Sequence, residues 1–195
     1  RYTLRKACQE ILFYHHNGLP DLHLAVNLSP VMIERNDFVE NILSILKEEN
    51  FPPSHLELEI TENALMDDRK DVVEKLLLLT DKGIKVAIDD FGTGYSSLSY
   101  LQNFPVSTLK IDRSFIHTIK SSENEACIVN AIVSMAKGLK MSIIAEGVES
   151  LEQLNYLHSL GCSIMQGHLF GQATQLKKVA KQFDDNMYLL INPGV

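Results

Sequence analysis

Residues 85–94, KVAIDDFGTG, run from an apolar strand-like segment into two adjacent carboxylates, Asp89 and Asp90, and then into a turn bracketed by Gly92 and Gly94. Neighbouring carboxylates at the end of a buried strand repel each other and lose hydration, so their presence there needs a physical reason. A solvated turn or a helix cap is one reason. A divalent cation that neutralises both charges is another. The choice turns on what the rest of the chain brings to the same place.

The same pattern of apolar strand, polar end and amphipathic helix recurs along the chain. Strands are predicted at HLAVNLS (23–29), HLELEIT (55–61), KVAIDD (85–90), STLKID (107–112), MSIIAEG (141–147) and CSIMQG (162–167). Helical periodicity lies between them. Phe38, Ile42, Ile45 and Leu46 share one face of 36–50, Val72, Val73, Leu76 and Leu79 one face of 68–82, and Val129, Ile132, Val133 and Ala136 one face of 122–138. Gly83, Gly138 and Gly161 stand where helices should stop. Such alternation predicts βαβ units and a parallel sheet.

Strand parity then points to one rim. Leu56, Leu58 and Ile60 fall on one face and Glu57 and Glu59 on the other; the remaining strands divide in the same way. Six strand ends deliver Asn27, Glu59, Asp89, Lys110, Glu146 and Gln166 to a common edge. Catalytic groups drawn from the ends of several strands describe the active face of a (β/α) barrel, whereas a doubly wound sheet concentrates its site at one crevice. The expected fold class is therefore α/β, a TIM-like (β/α)8 barrel, as a single domain over residues 1–195 with about six of its βα units present. A closed barrel typically takes about 250 residues, and RYTLRKACQEI opens on a helix with no strand before it; roughly 50 N-terminal residues of the barrel are expected to be missing.

Composition excludes several classes. Hydrophobic residues make up 45% and charged residues 22%, as in ordinary globular proteins. The formal net charge of -7 argues against binding nucleic-acid polymers or anionic membranes. Cys8, Cys127 and Cys162 form no CxxC pair and read as free thiols in a reducing, cytoplasmic compartment. No apolar run approaches the ~18 residues of a membrane span, so any membrane tether would have to come from an upstream domain.

The motifs NLSP (27–30), ELEITE (57–62), DDFGTGYSSL (89–98), LKID (109–112), AEGVE (145–149) and MQG (165–167), in this order and over about Leu4 to Gly171, resemble the EAL domain family of bacterial cyclic-di-GMP phosphodiesterases. The family's Glu-Ala-Leu strand is absent from this sequence. The resemblance implies that a metal-binding Glu and a substrate-contacting Arg are absent with it, so the fragment alone is expected to be inactive. The chain also departs from the family near Ala173, where members usually carry a proline.

The resemblance implies hydrolysis of cyclic di-GMP to linear pGpG with two Mg²⁺ or Mn²⁺ ions per site. Hard cations of this kind take oxygen ligands. Asn27, Glu59 and Asp89 are expected at one metal; Asp89 would bridge to a second, held with Asp90 and Glu146. Lys110 is expected beside the catalytic water, oriented by Asp112. Glu62 would anchor the loop 90–98, Glu149 would stand behind the ligands, and Gln166 and Asp90 would contact substrate. The seven histidines lack ligand spacing and are read as ordinary, and Phe91 and Tyr95 as loop packing. The resemblance further implies dimerisation through barrel helices. A different class of reading is a catalytically silent EAL module that binds cyclic di-GMP or a protein as a receptor. A Mg²⁺-dependent enolising barrel explains the carboxylates but not Asn27 or DDFGTGYSSL.

Overall fold

A computed structural model describes residues 1–62, 70–93, 101, 104–119 and 127–178. Helix α1 (Tyr2–His16) leads into β1 (Leu24–Leu28), then α2 (Pro30–Glu34) and α3 (Phe38–Glu48). A 3-10 turn at Pro53–His55 enters β2 (Leu56–Thr61), followed by α4 (Lys70–Thr80) and β3 (Lys85–Phe91). The remaining described elements are β4 (Thr108–Ile111), α5 (Arg113–His117), α6 (Cys127–Gly138), β5 (Ser142–Glu146), α7 (Leu151–Ser159) and β6 (Ile164–Gln166).

All six strands pair in parallel, and their spatial order is their chain order. That winding belongs to a barrel; a doubly wound sheet reverses direction at a switch point. With β1 and β6 at its edges, the sheet is an incomplete barrel. Edge exposure follows: Ile164 on β6 is 51% exposed, as expected of a strand with a neighbour on one side only.

The predicted helix faces form the core. Phe38, Ile42, Ile45 and Leu46 of α3, Val72, Leu76 and Leu79 of α4, and Val129, Ile132, Val133 and Ala136 of α6 are buried against strands carrying Leu56, Leu58, Ile60, Val86, Ile88, Leu109 and Ile111. Val73 is half-buried, at the margin of its stripe. The first residues of the predicted helices 68–82 and 122–138 lie outside the described residues. Among the described residues, no helix is long and apolar enough to cross a membrane. The cysteines are free, Cys8 and Cys162 buried and Cys127 exposed.

Two short helices were not legible in the periodicity. Pro30, at the first turn of α2, starts a helix directly after the NLS strand end. Asp112 starts α5 by capping it. Gly83 and Gly161 follow α4 and α7 as predicted, but Gly138 is the last residue of α6; the left-handed residue beyond it is Lys140, at φ +58°.

Candidate active site

Parallel strands end on one side, so every predicted strand-end residue lies on the same rim. Register aligns Asn27 with Glu59, Thr61 with Asp89, and Glu146 with Gln166. The centre of the rim is Lys110. Its side chain is 6% exposed, and Nζ lies 2.8 Å from Glu59 Oε1, 3.1 Å from Asp89 Oδ1 and 2.7 Å from Glu146 Oε1. Four successive strands, β2 to β5, thus meet at one ammonium. Asn27 and Gln166 occupy the flanking strands, exposed.

The electrostatics follow from this packing. Burial disfavours the charged lysine, but hydrogen bonds to Glu146 and Glu59 outweigh it and hold the ammonium well above the usual lysine range. Burial pushes Glu146 above the ordinary carboxylate range, with Asp89 and Glu59 adding to the shift and Lys110 opposing it. Asp90 is raised by burial and by the neighbouring charges of Asp89 and Asp112, against Lys110 and Arg113. One buried ammonium does not neutralise four carboxylates.

Ordinary strand alternation would send Asp89 and Asp90 to opposite faces. The structure breaks that alternation. Pairing between β3 and β4 shifts register between Ile88 and Phe91, and Asp90 adopts a left-handed φ of +54°, a conformation that Asp and Asn tolerate better than most residues. Asp90 N–H donates to Asp89 Oδ1 at 3.0 Å. Consequently Asp89, Asp90 and Glu146 each present an oxygen within 4.8 Å of the other two. A hard, oxygen-preferring divalent cation such as Mg²⁺ or Mn²⁺ fits this donor set and its excess negative charge.

The turn behind Asp90 is pinned by Glu62. This carboxylate is 2% exposed, and its Oε2 accepts the Gly92 N–H at 2.8 Å. Gly92 is required here: its φ is +99°, and a Cβ would fall 2.6 Å from the Phe115 ring. Phe91 is buried at the end of β3; Gly94 and Tyr95 lie outside the described residues.

Asp112 caps a helix: its Oδ1 accepts from Ser114 N at 3.0 Å and from Ser114 Oγ at the start of α5, and these bonds overcome its burial and hold it below the usual aspartate range. A carboxylate just past a strand and just before a helix is claimed by the unpaired amides of the helix. Glu149 lies between two histidines, its Oε2 3.8 Å from His117 Nδ1 and its Oε1 3.8 Å from His168 Nδ1.

One residue that organises the rim escaped the sequence reading. Gln153 is fully buried; its Oε1 accepts from Glu149 N at 2.7 Å and Ser150 N at 3.1 Å, and its Nε2 donates to Ile116 O at 3.2 Å. Ser150 Oγ accepts from Gln153 N at 3.2 Å, completing a capping box. The S-x-x-Q spacing of Ser150 and Gln153 was the available signal.

The chain matches the EAL domain model over residues 1–173. It is 40% identical over 171 residues to the bifunctional diguanylate cyclase/cyclic di-GMP phosphodiesterase MucR of Pseudomonas aeruginosa, covering 88% of this chain and 25% of that protein. Among solved structures, the PaMucR phosphodiesterase in complex with c-di-GMP superposes with a TM-score of 0.86 at 39% identity, over 91% of this chain and 72% of that one. Klebsiella pneumoniae BlrP1, in a manganese/cy-diGMP complex, gives a TM-score of 0.72 at 32% identity, over 86% of this chain and 44% of that one. The chain spans about a quarter of the length of the curated relatives it matches.

Proposed function

This chain belongs to the EAL domain family, and on that premise we propose that it is the catalytic part of a phosphodiesterase opening cyclic di-GMP to linear pGpG. The observation that carries the reading is the convergence of Glu59, Asp89 and Glu146 on Lys110, with Asp90 brought beside Asp89 and Glu146. The complexes of the related proteins support the choice of ligand and of a divalent cation.

Asn27, Glu59 and Asp89 would hold one Mg²⁺ or Mn²⁺, and Asp89, Asp90 and Glu146 the second. When bound, the two cations supply charge stabilisation at the attacking and leaving oxygens of an in-line displacement. The protein's own groups do the rest. Lys110, held as the ammonium by Glu59, Asp89 and Glu146, would orient the attacking water and offset the charge developing on the phosphoryl oxygens. Water adds to phosphorus, the bond from phosphorus to the 3′ oxygen breaks, and that oxygen leaves as the hydroxyl, taking its proton from solvent water. Glu146, which lies 2.7 Å from Lys110 on the neighbouring strand, would take the proton lost by water. Glu62 fixes the turn that presents Asp90, and Gln166 on the exposed rim contacts substrate or water.

The test is turnover of cyclic di-GMP with Mn²⁺ by a protein carrying the complete barrel, beside its Asp89→Asn variant. Formation of pGpG by the first and none by the second is expected, with Mn²⁺ affinity measured by calorimetry falling sharply. Tight binding of cyclic di-GMP without hydrolysis would identify a receptor instead. Unchanged Mn²⁺ affinity in Asp89→Asn would overturn the cation assignment.

A further inference from the structure

A second basic side chain stands on the rim beside Lys110. Arg113, the first residue of α5, follows the capping Asp112. Its stem is seated on Gly147, the residue after Glu146. Gly147 has a φ of +72°, and a Cβ there would fall 2.5 Å from Arg113 Cβ, 3.3 Å from Arg113 Cα and 3.7 Å from Arg113 Cγ. Only a glycine lets the arginine stem lie against the turn that follows Glu146. The start of α5 and the end of β5 are set against each other by this contact, so Arg113 is placed relative to Glu146.

The two cations differ in what remains accessible. Lys110 is buried, and its ammonium is taken up by Glu59, Asp89 and Glu146. Arg113 is exposed. Its charge acts on both Asp90 and Asp112. Among the described residues, however, its guanidinium enters no hydrogen bond or ion pair. The formal net charge of -7 and the carboxylates of the rim repel an anionic ligand. A phosphodiester brought to Glu59, Asp89, Asp90 and Glu146 therefore needs a cation it can reach. A guanidinium offers a planar fork of N–H donors that matches the two non-bridging oxygens of such a group.

We propose that Arg113 grips the phosphodiester of cyclic di-GMP at the rim, donating from its guanidinium to the two non-bridging oxygens, with Gly147 setting the reach of that grip. The assignment rests on the reading that cyclic di-GMP is the ligand, and it holds whether the ligand is then hydrolysed or only bound. A positive charge near Asp90 favours the anion of the ligand and opposes a metal cation at the same carboxylate. Removing it must move the two affinities in opposite directions. Loss of a residue needed only for packing would weaken both.

The experiment compares wild type, Arg113→Gln and Arg113→Lys in a protein carrying the complete barrel. Glutamine keeps a Cβ and a Cγ against Gly147 and removes the charge. Calorimetry reads equilibrium binding of cyclic di-GMP in Ca²⁺, which takes oxygen ligands in a looser geometry suited to binding without turnover. Arg113→Gln should bind roughly tenfold or more weakly, the scale of a charged hydrogen-bonded contact. The difference from wild type should narrow as salt rises from about 50 mM to about 500 mM. Arg113→Lys, charged but without the fork, should recover part of the loss. Mn²⁺ affinity of Arg113→Gln without nucleotide should equal or exceed that of wild type. Normal cyclic di-GMP affinity in Arg113→Gln, a loss that ignores salt, or a parallel fall in Mn²⁺ affinity each overturns the grip and leaves the proposed function standing. Wild-type protein that binds no cyclic di-GMP overturns the proposed function and the grip with it.

Discussion

Lys110 Nζ and Glu146 Oε1 stand 2.7 Å apart on neighbouring strands, and each moves the other's titration in the direction of charge. The pair shares its surroundings with Glu59 and Asp89, so removing the ammonium leaves several carboxylates facing one another in a largely buried space.

Lys110→Met keeps most of the stem volume and removes the charge. In the proposed enzyme, single-turnover hydrolysis should fall roughly a hundredfold or more, the scale for losing one preorganised electrostatic contact, while equilibrium binding of cyclic di-GMP persists. Without metal the variant should be less stable by about 3–5 kcal/mol, the penalty for stranding partners of a buried ion pair. The raised lysine pKa puts this contribution at full strength below the ordinary lysine value, and it fades only as pH rises through the elevated one. The difference from wild type should therefore be constant from neutral to mildly alkaline pH. Loss of binding with normal hydrolysis of the bound fraction would make Lys110 a structural ion-pair partner.

Asp90→Asn should raise metal-free stability at neutral pH. An acid whose folded pKa is raised loses stability as pH climbs past its unfolded value, because the unfolded chain ionises first. Asparagine removes that penalty and also suits the left-handed φ of +54°. With Mn²⁺ the order should invert, since wild type keeps the ligand. Thermal melts in chelator and in Mn²⁺ read both signs, and a variant less stable in chelator would contradict the electrostatic account.

Glu62→Ala removes the acceptor of the Gly92 amide in a part-buried contact, at about 1 kcal/mol. The Asp90 turn should loosen with it, so calorimetry should show weaker Mn²⁺ binding although no proposed ligand is deleted. An unaltered affinity would separate the turn from cation binding.

Gly167→Ala should disrupt the rim beside Gln166 at every pH. A Cβ there would lie 2.1 Å from Val148 O, and the same carbonyl accepts from Leu169 N at 3.0 Å, so the two loops cannot part without losing that bond. Destabilisation above about 2 kcal/mol in denaturant melts is expected, as for overpacking against immovable backbone. A neutral result would mean that the loops after β5 and β6 move independently.

The sequence alone determined the alternation of strand and helix, the faces of α3, α4 and α6, the barrel class and the rim. Those follow from periodicities of two and 3.6 residues, which are properties of the chain itself. Motif order carried the family. The sequence did not reveal that Asp112 serves a helix cap, because a carboxylate between strand and helix has two legitimate partners and only packing selects one. It placed Asp89 on the inner face, but alternation alone sends Asp90 outward. The register shift against β4, together with the left-handed Asp90, turns both toward Glu146. The ring contacts of His15 and His23 with His55 were not legible either. His15 and His23 stand eight residues apart and His55 thirty-two beyond, with no ligand spacing, and His55 reaches them because β1 and β2 pair in parallel. Local pattern is set by neighbours along the chain; partners across it are chosen by strand register and packing.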